Sequence, residues 1–166
     1  MVLIEPDKRD PKWAVPLTYA KSANEQLYIP NNVFLLGMMN TADRSLSMVD
    51  YALRRRFAFH SLKSQITAPV YKEYLTSHGV ADNLAGAIID RIGSLNEFIS
   101  NKSGSGLGPG FCIGHSFFLP SGESDTWDHD WYRRVVETEI IPLLSEYWFD
   151  DDDRVTEWRD RLLAAI

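Results

Sequence analysis

The rhythm of apolar positions changes near residue 63, and that change divides the chain. Before it, Trp13, Val15, Leu17 and Tyr19 alternate with Lys12, Ala14, Pro16 and Thr18, and a second apolar run follows at 27–29. Period-two alternation on either side of the polar residues 21–26 predicts a β-hairpin. Pro16 and Pro30 lack the amide proton that a central ladder needs, so the hairpin belongs at a sheet edge or projects as an insertion. Residues 33–39, VFLLGMM, do not alternate, which predicts a strand buried on both faces of a parallel sheet. In open α/β sheets the carboxyl ends of strands face the ligand crevice, so Asn40, Thr41 and Asp43 are placed to meet a substrate.

A helix is expected from Ser47 to about Phe57, with Asp50 three residues after Ser47 in a capping pattern. Val49, Leu53 and Phe57 share one face of it. Arg54, Arg55 and Arg56 step by ~100° each, so they cannot share a face and at least one must project away from its own core. A guanidinium at a helix end suits phosphate, because its planar fork of donors is permanently charged. It equally suits the negative end of the helix dipole and surface ion pairs.

Residues 58–61 read as a short strand, and helical spacing takes over after it. A helix is expected over 67–75 with Pro69 in its first turn, where proline is tolerated, and Gly79 ends it. A longer one covers 82–101, with Leu84, Ile88, Ile92, Leu95 and either Phe98 or Ile99 facing the core. Residues 101–110 are mobile by composition. A third helical region, 131–149, offers Val135, Ile140, Leu144 and Trp148 for burial and is kinked or restarted at Pro142. The last helix, 155–166, follows an acidic run at 150–153 that reads as a solvated first turn. The expected class is α/β plus all-α, with a partial α/β core at 1–62 and a helical subdomain at 63–166.

Composition narrows the chemistry. The 166 residues are 45% hydrophobic, ample for a core, and the net charge of -6 argues against a broad electrostatic footprint for DNA. Cys112 is the single cysteine, which excludes an intramolecular disulfide and fits a reducing compartment. Between Phe111 and Ile113 it reads as a small buried side chain rather than a nucleophile. The N-terminus has no apolar signal region and no run approaches a membrane span, so a cytoplasmic protein is expected. No G-x-x-x-x-G-K-[ST] string occurs, the Gly-rich stretch 103–110 included, and no strand ends in paired acids that could hold magnesium. The isolated chain is therefore expected not to hydrolyse nucleotide.

The stretch IPNNVFLLGMMNTADRSLSMVDYALRRRFAF resembles the sensor 1 to arginine-finger segment of AAA+ NTPases. It is most similar to the McrB-like group, the GTP-dependent motor subunits of modified-cytosine restriction systems. GFCIGHSFF and EIIPLLSEYWFDD are similar to that group's C-terminal lid, so the resemblance spans roughly residues 1 to 150. It implies the C-terminal part of an AAA+ core followed by a lid, with a phosphate loop lying before Met1. By resemblance Asn40 is sensor 1, and Arg55 and Arg56 are arginine fingers acting on a neighbouring subunit's nucleotide, with Arg54 beside them. Asp43 and Arg44 either pair locally or meet at the subunit interface. Asp43 is not expected to read guanine as in small GTPases, since a position just after this strand faces phosphate.

In the lid, Gly114, His115 and Ser116 either approach the nucleotide or leave His115 donating to a backbone carbonyl. No arginine stands there to act as sensor 2. The implied cofactor of the intact protein is GTP or ATP with magnesium, with nothing tightly bound to this chain. The implied partners are other AAA+ protomers in a ring and a nuclease subunit, with DNA met only indirectly. In such rings the hairpin often faces the pore, whereas a simple edge cover is the structural alternative. The competing functional class is a stand-alone interaction or scaffold module that donates arginines in trans. A sheet without its first strands should also expose an apolar edge and self-associate, or use the hairpin as a cover.

Overall fold

The computed structural model describes residues 2–22, 25–39, 54–120 and 126–165. Its contacts divide the chain into two units, Met1–Ser61 and Leu62–Ile166.

The second unit is built on one face of a long helix. Helix α1, Pro69–Ser77, begins on the proline and buries Tyr71 and Leu75. It ends where Gly79 takes φ 92°, a left-handed conformation that only glycine adopts without strain. The turn is closed by the Val80 amide, which donates to the Leu75 carbonyl at 3.1 Å. Helix α2, Asp82–Ser100, buries Leu84, Ala85, Ile88, Ile92, Leu95 and Ile99, a stripe at three- and four-residue spacing. Both alternatives at its end are used. Ile99 is fully buried, and Phe98 is half-buried with its ring 5.9 Å from Trp148 and 5.3 Å from Trp158.

The stretch expected to be mobile after α2 is instead hydrogen-bonded back onto that helix. The Ser105 and Gly108 amides donate to the Phe98 and Ile99 carbonyls at 3.1 and 3.2 Å. Gly104 permits this close return, since a Cβ there would lie 2.2 Å from the Phe98 carbonyl oxygen.

Helix α3, His129–Val135, opens on Asp128, whose carboxylate accepts from the Asp130 and Trp131 amides. It runs through a π-helical turn, Val136–Ile140, into α4, Ile141–Tyr147. Pro142 explains the wide turn: its ring crowds the carbonyl four residues back and it has no amide to offer, so a five-residue register relieves the clash. Helix α5, Asp152–Leu163, is capped by Asp151, with Asp152 and Asp153 in its first turn. Phe118 stacks on Tyr132 at 5.7 Å and meets Trp131 edge-on at 6.3 Å, and the Tyr132 hydroxyl donates to the Leu162 carbonyl at 2.9 Å.

Between α2 and α3 a strap of two 3-10 turns, Pro109–Phe111 and His115–Phe118, crosses the core. Asn96 of α2 grips its middle at both polar groups of Ile113. The side-chain amide donates to the Ile113 carbonyl at 2.9 Å and its oxygen accepts from the Ile113 amide at 2.6 Å. Tyr71 of α1 holds the far end, its hydroxyl donating to the carbonyls of His115 at 3.1 Å and Phe118 at 3.2 Å. Burial pushes the Tyr71 phenol well above its ordinary value, so it remains a donor. The strap in turn receives residues 62–66, through Ser64 Oγ, which donates to the Ile113 carbonyl at 2.9 Å.

In the first unit the expected hairpin is present in a minimal form. Strands β1, Val15–Pro16, and β2, Gln26–Leu27, pair antiparallel with Val15 opposite Leu27 and Pro16 opposite Gln26. The strands expected at 33–39 and 58–61 are not formed. A strand exists by its ladder, and among the described residues none offers these segments one. Instead of double burial, Phe34, Leu36 and Met38 stand 90%, 95% and 96% exposed.

Two stability tests follow from this packing. Asn96→Ala leaves the buried Ile113 amide without its acceptor, so urea unfolding of the helical unit should show a loss of about 2 kcal/mol. Asp128→Ala removes a cap whose carboxylate is held below its ordinary pKa, first by the Trp131 amide. A depressed carboxylate contributes stability above its unfolded value, about 3.9, and loses it as pH falls through the folded value. The variant should therefore melt below the parent at neutral pH, by circular dichroism, with the gap narrowing below about pH 4.

Candidate functional site

Two groups of residues singled out by sequence bear on function, one in each unit. Asn40, Thr41, Asp43 and Arg44 lie outside the described residues. The arginine triplet is described, and its three members are not equivalent. Arg54 is helical and exposed, Arg55 is in a turn and exposed, and Arg56 is drawn inward.

Arg56 Nη2 donates to Glu5 Oε1 in an ion pair that spans 51 residues of sequence. Its side chain is 8% exposed and that of Glu5 is 26% exposed. Partial exclusion of water strengthens such a charge-assisted bond and raises the penalty for removing either partner alone.

The platform presenting Glu5 is made of three short 3-10 turns, Val2–Ile4, Pro6–Lys8 and Pro11–Trp13. Pro6 and Pro11 each start a turn, where the fixed φ of proline is suited and its missing amide is not needed. Asp10 caps the third by accepting from the Lys12 amide, and Lys8 lies over the Trp13 ring at 3.7 Å. The same platform carries Arg9, whose Nη1 donates to the Val33 carbonyl at 2.8 Å. Residues 2–13 thus hold both the start of the apolar run leading to Asn40 and the end of the arginine triplet.

Sequence reasoning did not find Glu5. Its partner is set by tertiary folding, and no periodicity joins positions 5 and 56.

In the helical unit, Gly114, His115 and Ser116 are consecutive on the strap. His115 is half-buried and Ser116 is exposed. The His115 ring acts as an acceptor toward the segment that precedes α1. Its Nδ1 accepts from the Gln65 amide at 3.3 Å, which leaves the ring proton on Nε2. Its own carbonyl takes the Tyr71 hydroxyl, and the two rings meet edge-on at 5.8 Å. Burial pushes the Cys112 thiol above its ordinary pKa, and its Sγ lies 3.7 Å from the Asn96 carbonyl, so it sits there as a thiol rather than a reactive thiolate.

A shallow hollow elsewhere on this unit is lined by Arg91, His129, Tyr132 and Arg133. Arg91 there closes the end of α5, donating to the carbonyls of Leu162, Ala164 and Ala165. Among the described residues no group of three or more His, Cys, Asp or Glu converges as a metal site, and no helix is long and apolar enough to cross a membrane.

With this geometry in place, the comparisons with known proteins are direct. Residues 87–156, from within α2 into α5, match the family described as McrB, alpha-helical lid domain. Over 165 residues, 99% of this chain, the sequence is 43% identical to the type IV methyl-directed restriction enzyme EcoKMcrB subunit of Escherichia coli (strain K12). The chain spans 36% of that relative's length, in its C-terminal part. Residues 87–156 thus match the McrB helical lid, and the chain as a whole is similar to the C-terminal part of that McrB subunit.

Proposed function

We propose that this chain supplies the sensor 1, arginine-finger and lid portion of an AAA+ nucleoside-triphosphatase motor that serves a modified-cytosine restriction system. The observation that carries the reading is similarity over 99% of the chain to the E. coli McrB subunit, coupled with an exposed Arg55. Residues 1–62 then belong to an α/β core, completed by strands that pair with the exposed run at 33–39.

Asn40, at the end of that run, acts as sensor 1. A neutral amide can orient the attacking water or the terminal phosphate without adding charge that repels the anion. Arg55, with Arg56 beside it, acts across the boundary with a neighbouring protomer, where a guanidinium stabilises charge on the phosphoryl group in flight. Thr41, Asp43, Arg44 and Arg54 line that boundary, and Gly114, His115 and Ser116 approach the nucleotide from the lid.

The substrate is GTP or ATP. Magnesium bound with the nucleotide would neutralise charge developing on the phosphates. The partners are further protomers in a ring and a nuclease subunit, with DNA reached through them, in the cytoplasm.

A second reading has one observation in its favour: an exposed Arg55 on a chain with no phosphate-loop string. In it the chain is a docking module that donates its arginines to another protein's site.

Two outcomes are expected. The purified chain should hydrolyse neither GTP nor ATP above background, and a magnesium-dependent turnover abolished by Asn40→Ala would contradict this. In a chimaera where this chain replaces the matching part of the E. coli McrB subunit, Arg55→Ala should lower the hydrolysis rate by roughly 10³-fold or more. The thermal unfolding of the chimaera should be unchanged, and a variant that keeps full turnover would remove Arg55 from the mechanism.

A further inference from the structure

We propose that Glu5 is a positioning residue that divides the labour of the arginine triplet, holding Arg56 within its own chain so that Arg55 is the guanidinium presented to a neighbouring molecule. This rests on the reading that the triplet acts on a neighbour's nucleotide, and it adds to that reading a residue and a geometry.

The argument begins with exposure. Arg54 and Arg55 face solvent, whereas the Arg56 side chain is 8% exposed and ion-paired to Glu5. A guanidinium committed to a carboxylate in its own chain must break that bond before it can reach a phosphate elsewhere, and in a partly dry setting the abandoned carboxylate makes the break costly. The second step is directional. Arg55 and Arg56 are neighbours in the same short turn, so tying Arg56 to Glu5 also anchors the backbone from which Arg55 projects. Catalysis by a trans guanidinium depends on such placement, because a charge aimed in advance requires no reorganisation in the transition state.

The third step concerns what Glu5 is attached to. It leads into the Pro6–Lys8 turn, and its carbonyl accepts from the Lys8 amide at 2.9 Å. Four residues on, Arg9 holds the Val33 carbonyl at 2.8 Å, at the head of the run that ends in Asn40. One short platform therefore references both the sensor run and the arginine end. Glu5 is the arm that reaches the arginines.

The test has two parts. On the chain itself, an arginine-selective dicarbonyl reagent followed by mass spectrometry should modify Arg54 and Arg55 several-fold faster than Arg56. Glu5→Gln should bring Arg56 up to its neighbours' rate. Equal rates in the parent chain, or an Arg56 indifferent to Glu5→Gln, would overturn the pairing.

In the hydrolysing chimaera, Glu5→Gln and Arg56→Glu should each lower kcat with KM little changed. The exchange Glu5→Arg with Arg56→Glu should restore most of the rate, because the pair is rebuilt with its charges reversed. A folded exchange variant that stays inactive would overturn the proposal and make Arg56 itself the phosphate contact. The outcomes separate from those of the broader reading. If Arg55→Ala has no effect while the labelling pattern holds, the trans role fails and the pair survives only as a structural staple.

Discussion

The helical unit depends on the way α2 is used on two sides at once. Its apolar stripe from Leu84 to Ile99 is the surface on which the core assembles, while Asn96 meets the strap through polar bonds. Hydrophobic burial alone would hold the strap near the core without choosing its register, because apolar contact is not directional. The two bonds from Asn96 to Ile113 choose it. Once Ile113 is fixed, the His115 and Phe118 carbonyls stand where the Tyr71 hydroxyl can reach them, and Ser64 and Gln65 find their acceptors on the same strap. Ser64 and Gln65, near the start of the helical unit, are thereby tied to the strap.

The first unit follows another logic. It has little regular structure among its described residues, and long-range charged bonds organise it instead. Glu5 and Arg9 reach 51 and 24 residues ahead, to Arg56 and to the Val33 carbonyl. Such bonds define direction well, but they bury little apolar surface. That is consistent with a segment whose remaining apolar side chains, Phe34, Leu36 and Met38, still face outward.

Local signals were legible in the sequence, and pairings between distant residues were not. Pro69 and Gly79 bracketed α1 because each acts through its own backbone, and the stripe on α2 could be read because burial there repeats with the helix. Pro142 marked a disturbance but not its form, since a kink, a restart and a π turn all relieve the same clash. The run at 33–39 has the composition of a buried strand, yet composition specifies a preference for neighbours without supplying them. The Nδ1 bond of His115 depends on the Gln65 amide, 50 positions away, so local sequence left its role open. The Glu5–Arg56 and Asn96–Ile113 pairings leave no periodic trace at all. Within the candidate site, the arginines were visible as a string, whereas the division among them became visible only through their exposure.

The most direct test of the central claim, that Arg55 of one protomer completes the site of another, is subunit complementation in the McrB chimaera. Protomers carrying Asn40→Ala and protomers carrying Arg55→Ala, each inactive alone, are mixed under conditions where they co-assemble, and nucleotide hydrolysis is followed. The account predicts that activity returns, since an Asn40→Ala protomer lends its intact Arg55 to a neighbour whose Asn40 is intact. Mixed assemblies that form and remain inactive would contradict it and place the arginine's action within its own subunit.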